Sequence, residues 1–297
     1  MPLPPWLVAR SAHLLRKRML KARVVTALLL LAGFLAILFL FPFAGWLVFS
    51  SIVAGIGAWE WGGLAKLDAS GRRYYALASF AACAATGWAV FDIGTGTLRQ
   101  TGLLATLFAV AAVFWLAVVP LWLKAKWSTS ARVGGLMAGA IVLVPACLAL
   151  MQLRALTPIF LLAVMASVWV ADIAAYACGR AFGRHKLAPA ISPGKTWEGA
   201  AGAVVGVLIY GSVAAWAFGR MPATPGAWLL FSLSLIVLTT VSILGDLFES
   251  LAKRQAGVKD SGTILPGHGG ALDRIDSLTS TMPLVGLAVL FWEGRLS

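Results

Sequence analysis

One segment of the sequence, residues 246–277, concentrates the polar side chains whose spacing could support chemistry. It reads DLFESLAKRQAGVKDSGTILPGHGGALDRIDS within an otherwise apolar chain. Asp246, Glu249, Ser250 and Lys253 recur at i, i+3, i+4 and i+7, so they are predicted to share one face of a helix. Gly257 predicts the end of that helix. The glycine-rich stretch beyond it would let backbone N–H groups approach an anion closely.

This mixture of acids and bases suits a complex of a metal ion with phosphate groups. Mg²⁺ takes carboxylate and phosphate oxygens as ligands and retains waters, and Lys and Arg neutralise the remaining phosphate charge. The alternative is an ordinary charged loop. The density of acids, bases and glycines in so short a segment, together with His268, favours the site. His268 could donate to a phosphate or simply brace the loop.

Asp172 and the stretch ISPGKTWEG, residues 191–199, are the next candidates. An acid among apolar residues at membrane depth is costly, so Asp172 is a functional candidate. The alternative is an acid at headgroup level, paired with Arg180 or Arg184.

The stretch 191–199 resembles the end of a Walker A motif at Gly194-Lys195-Thr196. Position 189 is proline where that motif requires glycine, and no strand is predicted before it, so this is not a P-loop. Ser192 and Lys195 could still donate to a phosphate, and a helix beginning near Thr196 would turn its positive end toward the loop. A simple helix N-cap is the alternative.

Glu60, between Trp59 and Trp61, is interpreted as an interfacial acid in an aromatic belt. His13 and His185 lie in basic loops and are interpreted as solvated. None of these residues is placed in the candidate site.

The composition defines the environment of these residues. Of the 297 residues, 60% are hydrophobic and 12% are charged, and the mean hydropathy is +0.89. A disordered chain, a nucleic-acid-binding globule and a disulfide-rich secreted domain are therefore poor fits. The sequence predicts an all-α polytopic membrane protein, in which the net charge of +13 reflects the positive-inside rule rather than a nucleic-acid partner.

About nine transmembrane helices are predicted from apolar runs of bilayer length. The runs are 24–41, 43–59, 74–92, 102–123, 133–153, 158–178, 199–219, 226–249 and 278–293. With the N-terminus in the cytoplasm and the C-terminus outside, twenty of the 24 Lys and Arg residues fall on the cytoplasmic side. The loops 179–198 and 250–277 are then cytoplasmic.

Three parts of the chain follow from this order. Residues 1–23 form a basic cytoplasmic leader, and residues 24–153 form a transmembrane scaffold of about five helices. Residues 154–297 form the catalytic transmembrane half, because seven of the 11 acids lie between positions 172 and 276.

At these residues the sequence resembles the bacterial phosphatidate cytidylyltransferase family, also called CDP-diglyceride synthases. The C-terminal signature of that family is matched at Ser250, Lys253-Arg254, Lys259-Asp260, Pro266, His268-Gly269-Gly270, Asp273-Arg274 and Asp276. The preceding Gly245-Asp246, the SPGKTWEG loop and the AWEW turn are also similar, and the likeness extends from about Met19 to Arg295. Ala252 and Ala271 depart from the pattern, but both remain apolar.

The resemblance implies the reaction of CTP with phosphatidate to give CDP-diacylglycerol and pyrophosphate, with Mg²⁺ and with room for a second cation. It implies a multi-pass protein of the bacterial inner membrane whose active site faces the cytoplasm, and association into a homo-oligomer is compatible with it. The implied metal ligands are Asp246 and Asp273, with Asp172 as a further candidate. The implied CTP contacts are Ser192, Lys195 and Thr196. The implied catalytic residues are Asp246, Lys253, Arg254, Lys259, Asp260, His268, Asp273, Arg274 and Asp276.

Three other classes of function compete with this one, of which a structural membrane scaffold is disfavoured by the dense polar loop. A secondary transporter would fit an intramembrane Asp172, although transporters usually show internal repeats and polar groups at the membrane midplane. Another lipid-phosphate enzyme, such as a polyprenol kinase or a CDP-archaeol-type synthase, would use a similar site.

Overall fold

The computed structural model describes residue 26 and residues 28–130, 133–264 and 269–292. Over these residues the chain is mostly helical. We number the helices α1 Leu28–Leu40, α2 Phe43–Leu64, α3 Ala69–Val90, α4 Thr101–Ala125, α5 Val133–Leu156, α6 Pro158–Phe182, α7 Trp197–Ala217, α8 Pro225–Ala256 and α9 Leu272–Trp292. The predicted leader, residues 1–23, lies outside the described residues.

Each predicted apolar run coincides largely with one of these helices. Within the described ranges, seven helices are long and apolar enough to cross a membrane. The two others are α1, of which the structure describes a shorter apolar stretch, and α3, which carries Arg72 and Arg73 in its first turns. Over the described residues the fold is therefore that of a helical membrane protein with seven candidate spans, where the sequence predicts nine.

The strictly all-α prediction is wrong for the loop between α6 and α7. Strand β1, Lys186–Ala188, pairs antiparallel with strand β2, Ser192–Thr196. The N–H of Ile191 donates to the carbonyl of Ala188 at 3.1 Å and closes the turn. Pro189 and Pro193 each lack an amide donor, so this segment is a poor helix former and a short hairpin satisfies its backbone instead.

Local signals fix several helix ends as expected. Pro42 separates α1 from α2, and Phe34 of α1 lies 6.1 Å from the ring of Trp46 of α2, so the two helices form a hairpin. Gly257 ends α8 in the left-handed conformation, at φ 78°. Thr196 caps α7, since its Oγ1 accepts a hydrogen bond from the N–H of Gly199 at 3.1 Å.

An aromatic cluster holds α8 against α2 and α4. Phe248 lies 5.7 Å from the rings of Trp61, Phe114 and Trp115, and 5.4 Å from that of Trp122. Trp61 is only 1% exposed. Its assignment to an interfacial aromatic belt is therefore wrong, because its ring packs inside the bundle. The cluster fixes the part of α8 that carries the polar face.

A close approach of α8 and α9 brings their polar segments together. A Cβ atom at Gly245 would lie 2.8 Å from the carbonyl oxygen of Asp276 and 2.5 Å from Ser280 Oγ, so only glycine fits there. Ser280 Oγ also donates to the carbonyl of Val241 at 2.9 Å. The Gly245-Asp246 pair of the sequence thus has a packing reason, which places Asp246 of α8 beside the first turns of α9.

Candidate active site

Lys253 is the centre of a buried charge network at the end of α8. Its Nζ lies 3.1 Å from Glu249 Oε1 and 2.6 Å from Asp273 Oδ1. The side chains are 13%, 4% and 8% exposed, respectively. The sequence predicts that Glu249 lies on this face of the helix, but it assigns no function to this residue. Its i, i+4 spacing from Lys253 is the signal that identifies it as a partner.

The second carboxylate oxygen of Asp273 binds residues on both sides of the glycine-rich segment that follows α8. Oδ2 accepts hydrogen bonds from the N–H of Ser261 at 2.9 Å, from Ser261 Oγ at 3.0 Å and from the N–H of Gly270 at 2.8 Å. Both oxygens of Asp273 thus have partners from the protein itself. The carboxylate ties Ser261 and Gly270, which flank the segment, to Lys253.

Asp246 joins α8 to the β-hairpin. Its Oδ2 lies 2.6 Å from Lys195 Nζ, and its Oδ1 accepts a hydrogen bond from Ser250 Oγ at 3.2 Å. The structure therefore brings the lysine of the GKT loop and the first acid of the 246–277 segment together, although the sequence suggested them separately. Arg254 reinforces the junction, because its Nε donates to the carbonyl of Ile191 at 3.4 Å.

Two further acids converge on Asp246 from other helices. Asp172 of α6 and Asp276 of α9 both lie within electrostatic range of Asp246 and of each other. Asp172 also interacts with Lys195. Three helices thus contribute one acid each to this region. The pairing of Asp172 with Arg180 or Arg184 is not what the structure shows, since Arg180 instead donates to Tyr176 Oη at 3.0 Å.

The predicted metal ligands Asp246 and Asp273 are each bound to a different lysine. Among the residues that the structure describes, no group of three His, Cys, Asp or Glu side chains is arranged to hold a metal ion. The acid-rich region around Asp246 has the oxygen donors that Mg²⁺ prefers, and the assignment of Mg²⁺ stays a prediction.

The remaining candidates lie around this core. Ser192 is on β2, and the hydroxyl of Thr196 is engaged as the cap of α7. His185, interpreted as solvated, is exposed but pairs through Nδ1 with Glu198 Oε1 at 2.6 Å. The exposed members of the signature are Arg254, Lys259, Asp260 and Arg274. His268 and Pro266 lie outside the described residues.

Two features define the class of this protein. The apolar helices are those of an integral membrane protein, and the lysines and carboxylates near the ends of α8 and α9 form a polar site for charged groups. Residues 21–292 match the model of the cytidylyltransferase family. The chain belongs to this family.

Two of the named relatives align with nearly the whole chain, and a third aligns with less than half of it. The phosphatidate cytidylyltransferase of Pseudomonas aeruginosa is 39% identical over 280 residues, covering 92% of this chain and 97% of that protein. The phosphatidate cytidylyltransferase of Haemophilus influenzae is 35% identical over 291 residues, covering 92% and 99%. That of Brucella suis is 50% identical over 131 residues, covering 44% and 46%.

Proposed function

We propose that this protein transfers the cytidylyl group of CTP to phosphatidate, giving CDP-diacylglycerol and pyrophosphate in phospholipid biosynthesis. The observation that carries the proposal is the contact of 2.6 Å between Lys195 Nζ and Asp246 Oδ2. It places a loop suited to nucleotide phosphates beside the lysine- and carboxylate-rich face of α8. In this proposal the lipid phosphate binds at that face.

The reaction needs positioning and charge neutralisation more than proton transfer. An oxygen of the phosphatidate phosphate attacks the α-phosphorus of CTP, a new P–O bond forms, and the bond to the pyrophosphate oxygen breaks. The attacking phosphate is already ionised at neutral pH, so no carboxylate has to remove a proton from it. Two polyanions must meet, and the cationic side chains of the site reduce their repulsion.

Each candidate residue has a proposed role in this reaction. Ser192 and Lys195 contact the CTP phosphates, and Thr196 orients the start of α7 beside them. The cationic residues that clamp the phosphates are Lys253, Arg254, Lys259 and Arg274. The further catalytic residues proposed from the signature are Asp260, His268 and Asp276.

Mg²⁺ is proposed as the cofactor, because three acids and one lysine in the region of Asp246 leave an excess of negative charge. Asp246 would hold the ion, and Asp172, the further candidate ligand, and Asp276 interact with Asp246 electrostatically. Asp273, the second predicted ligand, would join only by releasing Lys253. When bound, the ion would neutralise the triphosphate and orient its α-phosphorus. A second cation is part of the same proposal.

The test of the proposed function uses CTP labelled in the α-phosphate, phosphatidate, Mg²⁺ and the protein purified in detergent. The label is expected to appear in CDP-diacylglycerol and to depend on both substrates. A parallel reaction uses CTP labelled in the γ-phosphate. Transfer of that label to a lipid would indicate a lipid kinase, and no transfer of either label would contradict the proposal.

Replacing Lys195 by alanine is expected to lower kcat/KM for CTP by about 100-fold, because a charge-assisted contact with the triphosphate is lost. Initial rates over a range of CTP concentrations measure the effect. The matched control is Lys186→Ala, which removes an exposed lysine from β1 of the same hairpin and should leave the kinetics unchanged. Unchanged CTP kinetics in a folded Lys195→Ala variant would refute the nucleotide role.

We also propose the finer topology, with nine spans, a cytoplasmic N-terminus, an outer C-terminus and the active site at the cytoplasmic face of the inner membrane. The support is the distribution of Lys and Arg. Val258, which is 42% exposed, follows α8, and Ala223, also exposed, precedes it.

In a cysteine-free background, a Val258→Cys variant is expected to react with a membrane-impermeant thiol reagent only after the cells are opened. Ala223→Cys is the matched variant at the other end of α8 and should react in intact cells. The physical reason is that one helix of 32 residues separates the two sites, which is enough to cross a bilayer. The reverse pattern would invert the proposed orientation.

A further inference from the structure

Glu60, at the end of α2, presents a buried carboxylate to the glycine-rich segment. Its side chain is 0% exposed. Oε1 accepts a hydrogen bond from the N–H of Ala271 at 3.0 Å, and Oε2 accepts from the N–H of Leu272 at 2.7 Å and from Ser261 Oγ at 3.1 Å. One side chain thus holds the two described flanks of the segment and the start of α9.

Two glycines of the signature region make room for this carboxylate. A Cβ atom at Gly262 would collide with Glu60 Oε1, and one at Gly270 would lie 2.7 Å from Oε2 and collide with Ser261 Oγ. The sequence suggested that these glycines let the backbone approach a bound anion. At Gly262 and Gly270 the anion that the backbone approaches is Glu60 itself.

The residues on either side of Glu60, Trp59 and Trp61, are both fixed by contacts with other parts of the bundle. The Nε1 of Trp61 donates to the carbonyl of Gly135 at 3.0 Å. On the other side, the guanidinium of Arg72 lies 4.2 Å from the centre of the Trp59 ring, and its Nε donates to the Trp59 carbonyl at 3.1 Å. The end of α2 is therefore a fixed support, and the interpretation of Glu60 as an acid at the membrane interface is wrong.

A buried carboxylate is costly unless donors compensate it. Here the described compensation comes from two backbone N–H groups, one hydroxyl and the positive N-terminal end of α9. Ser261 Oγ also lies 3.0 Å from Asp273 Oδ2, so its single hydroxyl proton is shared between the two carboxylates. The hydrogen bonds therefore run from Glu60 through Ser261 to Asp273, and through Leu272 to the helix that carries Asp276.

We infer that Glu60 is a positioning residue for the proposed reaction, which sets Asp273 and Asp276 relative to α8. The inference rests on the proposed function. Glu60 does not contact the hairpin that carries Ser192 and Lys195 in any described hydrogen bond. Its loss should therefore alter the rate of transfer rather than the binding of CTP.

The decisive variant is Glu60→Gln. Each carboxylate oxygen accepts a backbone N–H, so the amide NH₂ of glutamine opposes a donor in either orientation. We expect kcat to fall by about 10-fold or more while the KM for CTP changes by less than about threefold. The matched control is Asp92→Asn, because Asp92 Oδ1 also accepts two backbone N–H groups, from Gly94 and Thr95 at 3.0 Å, and should leave kcat unchanged.

A second variant disturbs the same contacts from the opposite side. Gly270→Ala drives a methyl group onto Glu60 and Ser261 and should reproduce the loss of kcat with little change in the KM for CTP. Its control is Gly102→Ala, where a Cβ atom would meet nothing within 4 Å. Thermal unfolding in detergent is measured for every variant.

Hydrogen exchange at the amides of Ala271 and Leu272 gives a readout without substrate, and it should speed up in Glu60→Gln. If the wild type fails to transfer the α-label while this exchange responds, the proposed function fails and the contacts stand. Normal kcat in folded Glu60→Gln or Gly270→Ala, or a raised KM for CTP alone, overturns the inference. Loss of folded protein in both variants also overturns it, because Glu60 would then serve stability only.

Discussion

Turnover by the Asp246→Asn variant is expected to be lower by about 1,000-fold or more at every Mg²⁺ concentration, while the protein stays folded in detergent. Asparagine keeps the size of the side chain and an oxygen that can accept from Ser250 Oγ. It removes the charge that binds Lys195 and that would bind a cation. The substitution therefore separates the electrostatic role of Asp246 from its packing.

Steady-state transfer of the α-label, measured across a Mg²⁺ series, checks this expectation. The control is Asp68→Asn, because Asp68 caps α3 through Gly71 at 2.9 Å and asparagine is an equally good cap. Near-normal turnover by a folded Asp246→Asn protein, with an unchanged Mg²⁺ requirement, would show that the ion is placed wrongly.

A companion variant, Asp273→Asn, distinguishes the two roles that remain for that residue. If Asp273 is a metal ligand, the folded variant should be inactive at any Mg²⁺ concentration. If it only holds Lys253, Ser261 and Gly270, the variant should lose stability, and the protein that survives should keep activity. The described contacts fit the second role, and the sequence resemblance implies the first.

Replacing Lys253 by methionine is expected to abolish transfer and to lower the free energy of unfolding by about 3 kcal/mol, since removal of one partner leaves buried acids uncompensated. Glu249 and Asp273 both contact Lys253 Nζ and are almost fully buried. Denaturation in detergent and transfer of the α-label measure the two effects separately.

The double variant Lys253→Met, Glu249→Gln tests the physical reason for that loss. It removes one of the two carboxylates that Lys253→Met leaves without a cation. The free energy of unfolding should therefore recover in part, while turnover should not. Lys124→Met, at an exposed position, is the control for loss of a lysine. Recovery of turnover in the double variant would mean that Lys253 serves the fold and does not contact the phosphates.

Local features of the sequence were sufficient to predict the helices and several of their ends. Apolar runs predict the helices because, inside a bilayer, the backbone N–H and C=O groups of each run must form hydrogen bonds within that run. Gly257 acts within its own turn, so the end of α8 was correctly predicted without knowledge of the packing. The polar face of α8 also followed from i, i+4 spacing, and the family resemblance agrees with the comparisons.

The tertiary structure alone decided which polar residues meet. Glu60 and Ser261 are 201 positions apart and form a hydrogen bond inside the bundle, and Lys195 reaches Asp246 from a hairpin that helical patterns do not predict. The spacing of residues along one helix reports only which side chains share a face. Contacts between elements depend on how the helices pack, as at Gly245, where a missing side chain lets α9 approach α8. For that reason the sequence indicated the chemistry of the site. Only the packing shows that Asp273 pairs with Lys253 and that Glu60 accepts a hydrogen bond from the start of α9.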